Sequence, residues 1–129
     1  MQSVVPVARD FDATVEGMAQ AQAFLELYQE DPKPAIIMDE IVSNIIRYSG
    51  ASRFSIAFET QDGKVSRMTF SDDGRAFDPT REIVNPDVNA PLEDREAGGL
   101  GMFMVRKMSK SVSYARENDR NVLTVLFAF

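Results

Sequence analysis

Two runs of the chain, "RFSIAFET" from Arg53 and "KVSRMTFSD" from Lys64, alternate apolar and polar side chains on either side of Gln61-Asp62-Gly63. Strict alternation suits a half-buried strand and no other regular element. Asp-Gly tolerates the positive φ angles of a tight turn, so the pair predicts an antiparallel hairpin. Two helical patterns precede it. One runs from Asp12 or Thr14 to about Glu30, with Val15, Met18, Leu25 and Tyr28 near helical spacing; "EDPKP" breaks it, and the next runs from about Lys33 to Tyr48, with Gly50 just past its end. The opening "SVVPVA", apolar with a proline, suits an edge strand. Towards the C-terminus, "LGMFMVRKMSK" reads as a short helix, and "SVSYARE" and "VLTVLFAF" as closing strands around "NDRN". Strands grouped apart from helices predict an α+β fold: a two-layer sandwich with a mixed, mainly antiparallel sheet and helices on one face. At 129 residues the whole of 1–129 is expected to form a single domain.

The chain has no Cys and no His. That excludes disulfides, thiol catalysis, imidazole bases and the usual zinc sites, leaving carboxylates, amides, hydroxyls and backbone for any chemistry. A net charge of -6 disfavours nucleic acid, whose binding draws on clustered Lys and Arg. No apolar run approaches the roughly 20 residues of a membrane helix, and no charged-then-apolar leader opens the chain. The expectation is a soluble, cytoplasmic protein without a membrane or direct nucleic-acid partner.

Three segments carry polar groups beyond what folding needs. In "DEIVSNIIRY" the residues Ile37, Met38, Ile41, Val42, Ile45, Ile46 and Tyr48 form one apolar arc, the core face. Glu40 and Asn44 are four residues apart, one above the other, with Asn44 at the border of that arc. A neutral amide oxygen there can ligate a hard cation such as Mg²⁺, and a carboxylate one turn earlier can take a proton from an attacking hydroxyl. Asp39 points about 100° away and is the weaker base. A plain solvated helix face is the other reading. In "FSDDGRAFDP" a strand ends at Asp72, whose acceptor-only carboxylate can take a hydrogen bond from an exocyclic amine such as adenine N6, while Gly74 would let a flat ring approach the backbone. An ordinary Asp-Gly turn is the alternative. In "AGGLGMFMV", Gly98, Gly99 and Gly101 open a helix with unobstructed N–H groups, a phosphate cradle that is neither a Walker loop nor a dinucleotide fingerprint. Between the last two lie about twenty residues without periodicity, the length of a lid or binding loop.

Taken in order, the E-x-x-x-N helix, the D-x-G turn closing on "FDP", the lid-length loop and the "GGLG" helix start resemble the N, G1 and G2 boxes of the Bergerat-fold (GHKL) ATP-binding superfamily over about residues 33 to 126. The phrases "DEIVSNIIRYSG", "FSDDGRAFDP", "APLEDREAGGLGMFMVRKMSKSVSY" and "NVLTVLF" are most similar to anti-sigma factor serine/threonine kinases of the RsbW and SpoIIAB type.

That resemblance implies ATP and Mg²⁺ as cofactors and a lid at about 79–98. It implies phosphorylation of a serine on a STAS-domain anti-anti-sigma protein, with a sigma factor or other regulated protein as the second partner and a homodimer paired through the sheet. By position, Glu40 would be the catalytic base, Asn44 the magnesium ligand, Asp72 the adenine-reading carboxylate and Gly74 its neighbour. Gly99, Leu100 and Gly101 would receive the phosphates and Thr124 would join the adenine network. Arg95 and Arg75 would reach phosphate, while Arg106 and Lys107 read as exposed helix residues. The chain departs from many relatives at Ala76, where a second glycine is common, and at Tyr48, where a His is common. A nucleotide-sensing module without phosphotransfer and a detached histidine-kinase ATPase domain are the competing readings.

Overall fold

The computed structural model describes residues 5–82 and 99–128. Five strands, β1 (Val5–Asp12), β2 (Arg53–Gln61), β3 (Lys64–Asp72), β4 (Ser111–Glu117) and β5 (Arg120–Leu126), form one sheet in the order β1-β2-β3-β5-β4. Each of these pairings is antiparallel. The helices are α1 (Val15–Glu26), α2 (Pro32–Asn44), a four-residue α3 (Pro79–Glu82) and α4 (Gly99–Met108).

The expected hairpin forms as read: Asp62 and Gly63 both take positive φ, 55° and 76°, and join β2 to β3. The second hairpin closes the same way through Asn118 and Asp119, at 52° and 59°. Alternation then sorts each strand. Phe54, Ile56 and Phe58 of β2, Met68 and Phe70 of β3, and Leu123 and Val125 of β5 are all buried. Each such side chain contributes roughly 1.5–3 kcal/mol by leaving water. A bulge shifts the register between Glu59 and Thr60, which is why Val65 is buried although it is out of phase with Met68.

Helix ends follow local chemistry. Thr14 caps α1 by accepting from the Gly17 N–H at 3.0 Å, and Asp31 caps α2 by accepting from Lys33, with Pro32 in the first turn. The second helical pattern does not stay α-helical to Tyr48. Residues Ile45–Ser49 widen into a π-helical turn that closes on Gly50 at a φ of 67°. The Ser49 hydroxyl donates to the Ile45 carbonyl at 2.8 Å inside that turn. The helices lay Ala21, Phe24 and Leu25 of α1, Ile37, Met38, Ile41 and Val42 of α2, and Met102 and Val105 of α4 into one core with the strands. No helix among the described residues is long and apolar enough to cross a membrane.

Gly17 shows how tightly β1 and α1 meet: a methyl group there would overlap the Asp12 carbonyl. Gly17→Ala is therefore expected to destabilise the fold by about 2 kcal/mol or more, since overpacked sites cost this much. Denaturant melts of the two proteins check it.

Candidate functional site

The phase of β3 decides what its last residue does. Met68 and Phe70 face the core, so Asp72 does too, and it ends 3% exposed. Asp73 points the other way, where Ser52 and Arg53 fasten it: the Ser52 N–H and hydroxyl donate to it at 2.8 and 2.5 Å, and the Arg53 N–H at 3.1 Å. These donors, the Ser52 hydroxyl first, hold the Asp73 carboxyl below its ordinary range. Of the adjacent acids, one braces the bend and one faces inward.

Asp72 borders a small cavity, partly open to solvent, together with Asn44, Phe70, Phe77, Tyr114 and Asn121. Its Oδ1 accepts from the Gly74 N–H at 2.9 Å and from the Asn121 side-chain amide at 3.0 Å. Both bonds fall on one oxygen, so Oδ2 is left for a ligand. Asn121 is itself held on all sides. Its Nδ2 also donates to the Arg75 carbonyl at 2.7 Å, and its Oδ1 accepts from the Phe77 N–H at 3.0 Å, the Tyr114 hydroxyl at 2.5 Å and Arg116 at 3.2 Å. Arg116 also donates to the Gly74 carbonyl at 2.9 Å. A carboxylate accepting from an adenine amine would thus sit in a fixed orientation before the base arrives.

Two of the expectations for this end are corrected. Thr124 lies on the opposite face of the sheet from the cavity, because Asn121, Leu123 and Val125 are the buried, in-phase residues of β5. Asn121 supplies the β5 contribution, and the alternation in "NVLTVLF" is the signal that finds it. Gly74 serves a different purpose as well: its missing side chain makes room for Ser49, whose carbonyl accepts from the Arg75 N–H at 2.9 Å. The glycine lets the π turn after α2 press against the bend after β3. Tyr48, on that turn, stacks on Phe77 with ring centroids 5.2 Å apart, the packing role read for it. Arg75 is exposed, its guanidinium 5.6 Å from the Phe77 ring centre.

On α2, Asn44 is 2% exposed and neither polar atom of its amide has a hydrogen-bond partner; Oε1 of Glu40 is also buried without one. Buried polar atoms are nearly always paired, so two such groups one helical turn apart suggest a missing partner. Burial pushes the Glu40 carboxyl above its ordinary value, against the opposing pull of the Asn44 amide and the Arg47 charge. That is the direction a proton acceptor near neutral pH requires. Asp39 is occupied, accepting from Gln22 at 2.5 Å.

Gly101 lies against the Glu40 carboxylate so closely that a methyl group would overlap it. It borders a second hollow with Glu40, not the cavity shared by Asn44 and Asp72. The segments therefore meet as neighbours along α2: Asp72 beside Asn44, Asn44 one turn from Glu40, Glu40 under Gly101. Gly99 and Leu100 start α4, Arg95 and most of the expected lid lie outside the described residues, and the lid's first residues form α3. Arg106, read as exposed, is half-buried and ties α4 to α3 by donating to the Thr80 carbonyl at 2.5 Å. Lys107 is exposed, with its ammonium over Phe103.

A magnesium ion fits the donor set only in company. Among the described residues no group of three or more acidic, His or Cys side chains could hold a metal. The unpartnered Asn44 oxygen supplies one neutral ligand, as suits an ion that keeps several waters and takes phosphate oxygens.

In this α+β sandwich a carboxylate and an unpartnered amide border one cavity, with a second buried carboxylate one helical turn away. The chain belongs to the histidine kinase-like ATPase domain family, whose model matches residues 5–127. It is therefore an ATP-binding domain. Among known proteins it is similar to the serine/threonine-protein kinase BtrW of Bordetella bronchiseptica, 28% identical over 90 residues, covering 67% of this chain. The match spans 63% of that relative's length.

The raised Glu40 pKa carries a stability consequence. An ionised carboxylate that folding disfavours costs stability above its folded pKa, and the cost fades as pH falls towards the ordinary value of 4.5. Glu40→Gln should therefore raise the melting temperature near pH 7 and give a gain that shrinks to nothing below about pH 4. Thermal melts across that range check it.

Proposed function

We propose that the domain is an ATP-dependent serine/threonine kinase that transfers the γ-phosphoryl group to a STAS-domain anti-anti-sigma protein, with a sigma factor as the alternative partner and the cytoplasm as its place of work. The observation that carries the reading is the pair of buried, unpartnered groups on α2, Glu40 Oε1 and the Asn44 amide, beside the Asp72 cavity. A likeness to a serine/threonine-protein kinase supports it.

Each residue then has a task. Asp72 Oδ2 accepts from the adenine amine, with Asn121 and Gly74 fixing the carboxylate's orientation. Phe77 and Tyr114 give the ring apolar walls. Asn44 would hold Mg²⁺, which when bound neutralises charge on the phosphates. Glu40 accepts the proton of the attacking hydroxyl. The serine oxygen forms a bond to the γ-phosphorus, the bond from that phosphorus to the β–γ bridging oxygen breaks, and ADP leaves with that electron pair. Burial raises the Glu40 carboxyl's affinity for a proton, the direction a base in this role requires.

Removing each group separates binding from transfer. Asn44→Ala is expected to weaken Mg²⁺-ATP binding at least about tenfold by calorimetry, while Glu40→Ala keeps ATP affinity within about twofold. In a labelled-ATP assay with a purified STAS-domain protein, Glu40→Ala should slow phosphoserine formation about 10²- to 10⁴-fold, the usual worth of a general base. Equal loss of binding and transfer in the Glu40 variant would overturn its assignment.

A further inference from the structure

Arg106 of α4 and Thr80 of α3 are 26 residues apart, and the half-buried guanidinium donates to the Thr80 carbonyl at 2.5 Å. A charged donor makes a stronger bond than a neutral one. On the α3 side the bond reaches the cavity that holds Asp72, because Phe77 and Pro79, both buried, border it. That short segment is braced from within. The Phe77 N–H donates to Asn121 Oδ1 at 3.0 Å, and Asp78 Oδ1 accepts from the Thr80 N–H at 2.8 Å and from its hydroxyl at 2.5 Å. The Thr80 carbonyl is thus a held acceptor next to the cavity wall.

On the α4 side the bond bears on where the helix starts. Gly99, Met102 and Arg106 are three and four residues apart, so they share one stripe of α4, and Met102 on that stripe is fully buried. Gly101 is on the flank of the stripe, against the Glu40 carboxylate. A movement of α4 that broke the Arg106 bond would carry Gly101 with it and change the fit to Glu40, one turn from the unpartnered Asn44 amide. The bond therefore runs from the wall of the Asp72 cavity to the helix whose first turn meets the other end of the site, by a route that does not pass through α2.

We propose that Arg106 is a positioning residue for ATP: through the Thr80 carbonyl it keeps the cavity wall and the start of α4 in register, so that one nucleotide spans both ends. The proposal rests on the reading that the Asp72 cavity takes the base and that the phosphates lie where α4 meets Asn44 and Glu40. It adds a residue that touches neither base nor phosphate and governs how well the two are bound together. Without the Arg106 bond the cavity keeps its own bonds from Asn121, so the loss falls on a ligand that carries phosphates and spares one that does not.

The test is calorimetry of the full chain with adenosine and with Mg²⁺-ATP. Arg106→Met keeps the apolar stem and removes the donor. It should weaken Mg²⁺-ATP at least about fivefold, the lower end of ordinary coupling between sites, and adenosine by less than about twofold. Lys107→Met, at the neighbouring exposed cation, should bind both like the parent. Asp78→Ala, which frees the Thr80 N–H and hydroxyl, should weaken Mg²⁺-ATP as well, and the double variant should bind no worse than the weaker single one, because both changes act through α3. Losses that multiply in the double variant put Arg106 on the phosphates directly and overturn the positioning role. Unchanged Mg²⁺-ATP affinity in Arg106→Met, with a parent that prefers ATP to adenosine, overturns the proposal and leaves the nucleotide site standing. A parent that binds adenosine as tightly as ATP overturns the phosphate reading and the proposal with it. If Arg106→Met loses its circular dichroism, Arg106→Lys, a shorter donor in the same place, carries the same comparison with smaller losses.

Discussion

One acidic side chain sits where the sheet should carry an apolar one. Asp72 continues the core-facing phase of Met68 and Phe70, and a carboxylate there is tolerable only because the Gly74 N–H and the Asn121 amide both donate to its Oδ1. Much of the nearby architecture serves that arrangement. Asn121 is fixed by Phe77, Tyr114, Arg75 and Arg116, Gly74 is fixed by the close approach of Ser49, and the π turn that brings Ser49 there also ends the helix that carries Asn44. The carboxylate and the amide across the cavity are thus held by one connected set of contacts.

The α2 groups show the opposite economy. Glu40 Oε1 and the Asn44 amide are buried with no partner, and an unmet polar atom costs about 1–3 kcal/mol. A fold of ordinary stability, roughly 5–15 kcal/mol, carries such a cost where a ligand later supplies the missing bonds. Asp72 is satisfied within the protein, and Glu40 Oε1 and the Asn44 amide are not. That division suits a domain that reads a base through fixed donors and acceptors and keeps its chemical groups available.

Much of this was legible in the sequence. Alternation around Asp62-Gly63 fixed the central hairpin because a two-residue turn leaves one register, and the spacing of Glu40 and Asn44 put both on one stripe of α2 because a helix has one period. The order of the elements followed, whereas the meeting of Asn44 and Asp72 at one cavity is implied by the family resemblance alone. What the spacing did not carry was contact between segments far apart in sequence. The resemblance by position points to Thr124, although the phase of Leu123 and Val125 turns it away and turns Asn121 inward. Gly74 was read as clearance for a ligand, while the clearance belongs to Ser49, 25 residues earlier by number. The widening of α2 at Ile45 has no counterpart in the apolar pattern, which continues through it.

The central claim is that Asp72 and Asn44 mark two ends of one adenine-nucleotide slot. A calorimetric titration of the unmodified chain with ATP and with GTP, each with and without Mg²⁺, tests it most directly. The account predicts one site per chain, tighter with Mg²⁺ and at least about tenfold weaker for GTP, whose ring presents a carbonyl where adenine presents its amine to the carboxylate. Equal affinity for the two nucleotides, or no heat with either, would contradict it.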